Sequence, residues 1–114
     1  MSEKTIEVLS VDPGNTASVT FETVVIYPVV YAGTNGQPGE YQASNNPDVG
    51  NEHRISIGKK VFAVFYQPFH NIGDLGGFSL LDVKPDGNDI LLYAGSRPGI
   101  QNRIRLKITA LVIR

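Results

Sequence analysis

The apolar period constrains this chain more than any other feature. Apolar and polar residues alternate almost throughout, and turn residues interrupt the alternation at short intervals, the pattern of half-buried strands in an antiparallel sheet. The last segment is the cleanest. Ile104, Leu106, Ile108, Ala110 and Val112 share one face, while Arg103, Arg105, Lys107 and Thr109 share the other, until Leu111 and Ile113 make both faces apolar. The even positions are the expected core face. An edge strand seldom turns residues such as Leu111 and Ile113 to water, so this end is expected to be central in its sheet or covered, for example by another subunit.

Strands are expected near 5–11, 17–26, 28–32, 54–57, 61–67, 77–83, 89–94 and 103–113. Turns are expected at Asp12-Pro13-Gly14-Asn15, Gly58-Lys59-Lys60, Lys84-Pro85-Asp86-Gly87-Asn88 and Ser96-Arg97-Pro98-Gly99, where the residues supply fixed φ, positive φ or local side-chain caps. In 61–67, Phe62, Val64 and Tyr66 share one face and Val61, Ala63 and Phe65 the other, so this strand is expected to be central in the sandwich, as a core strand, or buried at an interface. No window of eleven residues keeps a helical apolar stripe free of Gly and Pro. The expected fold is therefore an all-β, antiparallel β-sandwich with little or no helix, of jelly-roll or immunoglobulin-like type.

At 114 residues and 41% hydrophobic content the chain supports a single domain with one core, spanning 1–114. The absence of Cys excludes disulfide scaffolds, Cys-ligated zinc and thiol nucleophiles. A formal net charge of −1 argues against coating nucleic acid or an anionic membrane, since both need a cationic excess. The segment Met1-Ser2-Glu3-Lys4-Thr5 is no secretory leader, and the longest apolar run is broken at Pro28, so a soluble chain folding in a cytoplasm is expected.

The near-neutral total hides two opposed halves. In residues 1–53 only Lys4 stands against Glu3, Glu7, Asp12, Glu22, Glu40, Asp48 and Glu52, a net of −6. In 54–114 nine cations stand against Asp74, Asp82, Asp86 and Asp89, a net of +5. Such halves either pair across neighbouring strands of one subunit or make a two-poled surface that favours ordered self-association.

Reactive chemistry is sparse. His53 and His70 are the only imidazoles, neither lies in a metal-ligand spacing, and the carboxylates are dispersed. Asp86-Gly87-Asn88-Asp89 offers closely spaced oxygens but lacks a calcium-loop frame and reads as a turn. No enzyme, cofactor or metal is expected. The cationic row Arg103, Arg105, Lys107 lacks the interleaved aromatics of a sheet that reads nucleic acid; it fits a solvated face or, together with Leu111 and Ile113, a subunit contact.

From Gly33 to about His53 the chain is a long polar loop rich in Gly, Asn, Pro and Ser, of the kind that is usually functional when ordered. Asn35, Asn45, Asn46 and Asp48 offer hydrogen bonds and Tyr41 a flat amphipathic face for a polar ligand or a neighbouring protein. A short strand near Glu40-Tyr41-Gln42-Ala43 would divide the loop into two turns.

The order Val19-Thr20-Phe21, Tyr27-Pro28-Val29-Val30, Gly77-Phe78-Ser79-Leu80 and a terminal alternating strand from Ile104 to Ile113 resembles small H-type-lectin-like sandwiches, which are similar to domains ending some bacteriophage tail fibres. That resemblance implies a compact, commonly trimeric sandwich that binds sugars or caps a fibre. The expectation is a non-enzymatic assembly module, a bacteriophage virion component such as a capsid decoration or tail protein, that self-associates and docks on other virion proteins. The alternative is a carbohydrate-binding lectin using the 33–53 loop.

Overall fold

The computed structural model describes residues 2–9, 16–70 and 78–114. They form nine strands and no helix: β1 (Ser2–Leu9), β2 (Thr16–Ile26), β3 (Val29–Ala32), β4 (Tyr41–Gln42), β5 (Asn51–Ser56), β6 (Val61–His70), β7 (Phe78–Asp86), β8 (Asp89–Ser96) and β9 (Asn102–Ile113). The expected turn Asp12–Asn15, the expected strand ends at 10–11 and Gly77, and the side chain of His70 lie outside the described residues.

Two sheets face each other. In the larger, β9 is central, flanked on one edge by β2 and β3 and on the other by β6, with β1 outside β2 and β4 outside β3. In the smaller, β8 lies between β5 and β7. All strand pairs are antiparallel except β3–β4. From β3 the chain passes to β5 in the small sheet, returns to β6, crosses again to β7, turns into β8 and crosses back to β9. The chain thus crosses between the two sheets of the sandwich four times, at β4–β5, β5–β6, β6–β7 and β8–β9.

The core lies between the central strands. Ile104, Leu106, Ile108, Ala110 and Val112 of β9 are all buried, as their even spacing predicts, and meet Ile90, Leu92 and Ala94 of β8. β9 is central, which accounts for apolar residues on both of its faces at Leu111 and Ile113.

β2 and β3 are one strand interrupted, not two. Phe21 opposes Ile113, Ile26 opposes Ile108 and Val29 opposes Arg105, so register on β9 is unbroken across Tyr27–Pro28. Pro28 has no N–H to give the ladder, but its carbonyl still accepts from the Leu106 N–H at 2.9 Å. Beyond Phe21 the ribbon outruns β9. Thr20 to Thr16 pair with Thr5 to Leu9 of β1, while β9 ends at Ile113, so β1 and the start of β2 form a two-stranded arm. The molecule is accordingly elongated, 59 × 26 × 21 Å, with a radius of gyration of 16.9 Å.

Three expectations need correction. The turn after β7 is only Gly87–Asn88: Lys84, Pro85 and Asp86 belong to β7, and Asp86 opposes Asp89. Pro85 is tolerated because β7 is an edge strand, and Gly87 with φ +61° supplies the positive φ of a two-residue hairpin. Second, β6 is an edge strand of the large sheet, not a core strand buried on both faces. Third, its faces are not those of unbroken alternation. β-bulges between Val61 and Ala63 and between Pro68 and His70 insert Phe62 and Phe69 as extra residues, so Val61 joins Val64 toward the core while Phe62 joins Phe65 on the outside.

Candidate functional site

The outer face of the large sheet is the most unusual surface of the molecule. Residues paired across an antiparallel ladder share a face, so Phe21, Thr23 and Val25 of β2 lie beside Ile113, Leu111 and Thr109 of β9, and Ala63, Phe65 and Gln67 of β6 complete the same surface. The two bulge residues reach over it. Phe62 meets Phe21 across the end of β9 with ring centroids 5.1 Å apart, and Phe69 meets Tyr27 at 4.8 Å, near the level of Lys107. Phe65 stands between these pairs. Phe62 and Phe65 are each 60% exposed and Phe69 55%, where single-sheet alternation would place polar residues. Beside Phe65 a shallow depression of about 120 Å³ is lined by Phe65, Tyr66, Gln67, Lys107 and Thr109.

The cationic row lies at one end of this face. Arg103 is engaged within the chain: its Nη2 donates to Glu40 Oε1 at 3.0 Å and to the Asn35 carbonyl at 2.7 Å. Arg105 Nη1 donates to the Tyr27 carbonyl at 3.1 Å. Lys107 is half-buried beside the depression and has no ion-pair partner among the described residues. The face is thus apolar and aromatic, with two cations not matched by a carboxylate among the described residues. It is suited to burying against another protein surface rather than to making or breaking bonds.

The small sheet presents the opposite chemistry. On its outer face Arg54 bridges Asp86 and Asp89 at 2.8 Å each, the Tyr93 hydroxyl donates to Glu52 at 2.5 Å, and Lys84 lies over the Tyr93 ring. These carboxylates hold the Arg54 guanidinium protonated more firmly than usual, and the bond to Glu52 pushes the Tyr93 phenol up. Every polar group named has an internal partner, the mark of a solvated, self-contained face.

The 33–53 segment works mainly as a strap between the sheets. β4 pairs with β3, and two residues later Ser44 bridges Gly95. Its N–H donates to the Ala94 carbonyl, and its own carbonyl accepts from the Ser96 N–H and hydroxyl. Tyr41 is half-buried against the core and edge-on to His53, whose Nε2 lies 2.8 Å from the Gln42 carbonyl. Asn35 is exposed and gives its carbonyl to Arg103. Asn45, Asn46 and Asp48 sit in an exposed turn closed by Asn46 Oδ1, which accepts from the Asp48 N–H at 2.9 Å, and by Ser44 Oγ. The strand expected within the loop is present as β4.

The opposed charge halves meet inside the subunit. Glu22, only 6% exposed, takes Lys59 at 2.8 Å and Arg114 at 3.3 Å, and Glu40 takes Arg103. The Lys59 hydrogen bond holds the Glu22 carboxyl below its usual value against the opposing cost of burial.

Of the residues expected to form a subunit contact, Arg105, Lys107, Leu111 and Ile113 share the outer face, whereas Arg103 is tied into the strap. Sequence alternation missed the exposure of Phe62, Phe65 and Phe69. The spacing of Phe62 and Phe65 carried the signal: an interval of three residues does not fit one strand face without a bulge. Among the described residues no three of His, Cys, Asp and Glu gather as a metal site, and no helix is long and apolar enough to cross a membrane. No family model matches the chain, and no curated protein or solved structure matches it.

Proposed function

We propose that this protein is a non-enzymatic assembly module, a structural component of a bacteriophage virion such as a capsid decoration or tail protein, which self-associates and docks on other virion proteins. The observation that carries the reading is the aromatic outer face of the large sheet, where Phe62, Phe65 and Phe69 are exposed together beside Leu111 and Ile113. Exposed aromatic clusters of this kind are stabilised by burial against a partner. The projecting arm supports the same reading, because a two-stranded ribbon is marginal alone and gains stability when it lies on a neighbour.

Two measurements test it. Gradient-purified virions of the source phage are expected to contain the chain in stoichiometric amount by mass spectrometry, and its gene to lie beside portal, capsid or tail genes; absence from particles overturns the reading. The sugar-binding alternative rests on the exposed turn at Asn45, Asn46 and Asp48. A glycan array probed with the purified chain, calcium included, separates it from the assembly reading: array binding lost on Asp48→Ala favours the lectin.

A further inference from the structure

Residues 35 and 36 form the only Asn-Gly pair in the sequence. Because glycine has no Cβ, the backbone nitrogen that follows the asparagine is open to attack the asparagine side chain. The fold leaves this pair free to react. Thr34 N–H donates to Gln101 Oε1 at 3.1 Å and Gln37 N–H to Glu40 Oε1 at 2.8 Å, which anchors the chain on either side. Between the anchors Asn35 is exposed, and among the described residues its carboxamide has no hydrogen-bond partner and the Gly36 N–H no acceptor. Other asparagines are held. Asn46 Oδ1 accepts from the Asp48 N–H and precedes Pro47, which has no N–H, while Asn51 Nδ2 donates to the Gln42 carbonyl.

A cation is set on the same peptide unit. Arg103 Nη2 donates to the Asn35 carbonyl at 2.7 Å, and that carbonyl is conjugated with the Gly36 nitrogen. When the Gly36 N–H is lost, resonance shares the negative charge with this oxygen, so the guanidinium stabilises the anion more than the neutral peptide. Arg103 has capacity for that charge. Its Nε is buried without a partner among the described residues, and Glu40 Oε1, at 3.0 Å from the same Nη2, holds the group in place.

From this juxtaposition we propose that Asn35–Gly36 is a self-modification site whose reaction Arg103 assists. The Gly36 nitrogen gives its proton to solvent base and attacks Asn35 Cγ. A C–N bond forms, the bond from Cγ to the side-chain nitrogen breaks, and that nitrogen takes a proton from water and leaves as ammonia. Water then opens the succinimide at either carbonyl, giving aspartate or isoaspartate. One water is consumed for each ammonia released, and nothing is oxidised or reduced.

The product changes the strap. Either outcome adds one negative charge beside Arg103. Isoaspartate also adds a methylene to the backbone next to Gly36, where the Tyr31 ring leaves no room: a Cβ on Gly36 would lie 2.0 Å from it. Segment 33–40 is therefore expected to lift from Tyr31 as the chain ages.

Peptide mapping by mass spectrometry over days in neutral buffer tests the site. Asn35 is expected to convert about tenfold faster in the native chain than in the same chain unfolded in urea, the worth of one charge-assisted hydrogen bond. Asn46 and Asn51 should stay amidated. Conversion at Asn35 should rise with pH, because the Gly36 N–H must be lost, and Arg103→Gln should bring the native rate down to the unfolded one. A native Asn35 that stays amidated, or converts more slowly than in urea, overturns the proposal without any substitution, as does a native rate indifferent to Arg103→Gln in a folded variant. The isoaspartate form, separated by its added charge, should unfold at a lower denaturant midpoint than the Asn35 chain. An equal midpoint overturns the lifting of the segment.

Discussion

Glu22 shows how one residue can tie this sandwich together. It is on the core side of β2, nearly buried, and held by Lys59 from the β5–β6 crossing and by Arg114 beyond β9, so three separate parts of the chain converge on one carboxylate. Its folded-state pKa is depressed, chiefly by the Lys59 hydrogen bond. A depressed carboxylate contributes stability that is present above the unfolded pKa and lost as pH falls through the folded one. Denaturant melts taken from pH 6 downward should therefore show stability falling below the ordinary value of 4.5, and Glu22→Gln should flatten that fall. Gly36 is a second such position. A Cβ there would lie 2.0 Å from the Tyr31 ring, so Gly36→Ala is expected to cost about 1–3 kcal/mol by overpacking, read as a lower denaturation midpoint.

At the scale of elements, the two central strands and the arm should differ most in stability. β8 and β9 supply the fully buried side chains, and Leu92→Ala is expected to cost about 2–5 kcal/mol in equilibrium unfolding. Phe65→Ser, on an exposed position of edge strand β6, should change the stability of a monomeric background by no more than about 0.5 kcal/mol. Among the described residues, the arm's strands pair only with each other beyond Phe21. Amides of Thr5–Leu9 are expected to exchange with deuterium orders of magnitude faster than those of Ile104–Val112. Equal protection would show that the arm is held as firmly as the core.

For the whole molecule, shape is the informative quantity. A chain of 114 residues packed as a sphere-like domain would have a radius of gyration of about 13 Å, against 16.9 Å here. The excess follows from a ribbon that outruns its sheet. Small-angle scattering from a Phe65→Glu variant should give a value near 16.9 Å before hydration.

Alternation alone determined the all-β class, the core face of β9 and most of the strand positions, because a period of two admits only one way to divide each strand between core and surface. The parts it left undecided depend on what lies beside a strand rather than along it. The bulge at Phe62 moves that ring onto the outer face, and only the β9 ladder reveals where the extra residue falls. The opposed charge halves were legible as numbers, but whether Glu22 and Glu40 meet Lys59, Arg114 and Arg103 within one subunit was decided by the chain crossings that bring distant segments together. Tyr41 and His53 likewise became part of a strap because Ser44 reaches β8. The aromatic face and the arm are products of tertiary pairing, since each exists only where one strand extends past, or bulges against, its neighbour.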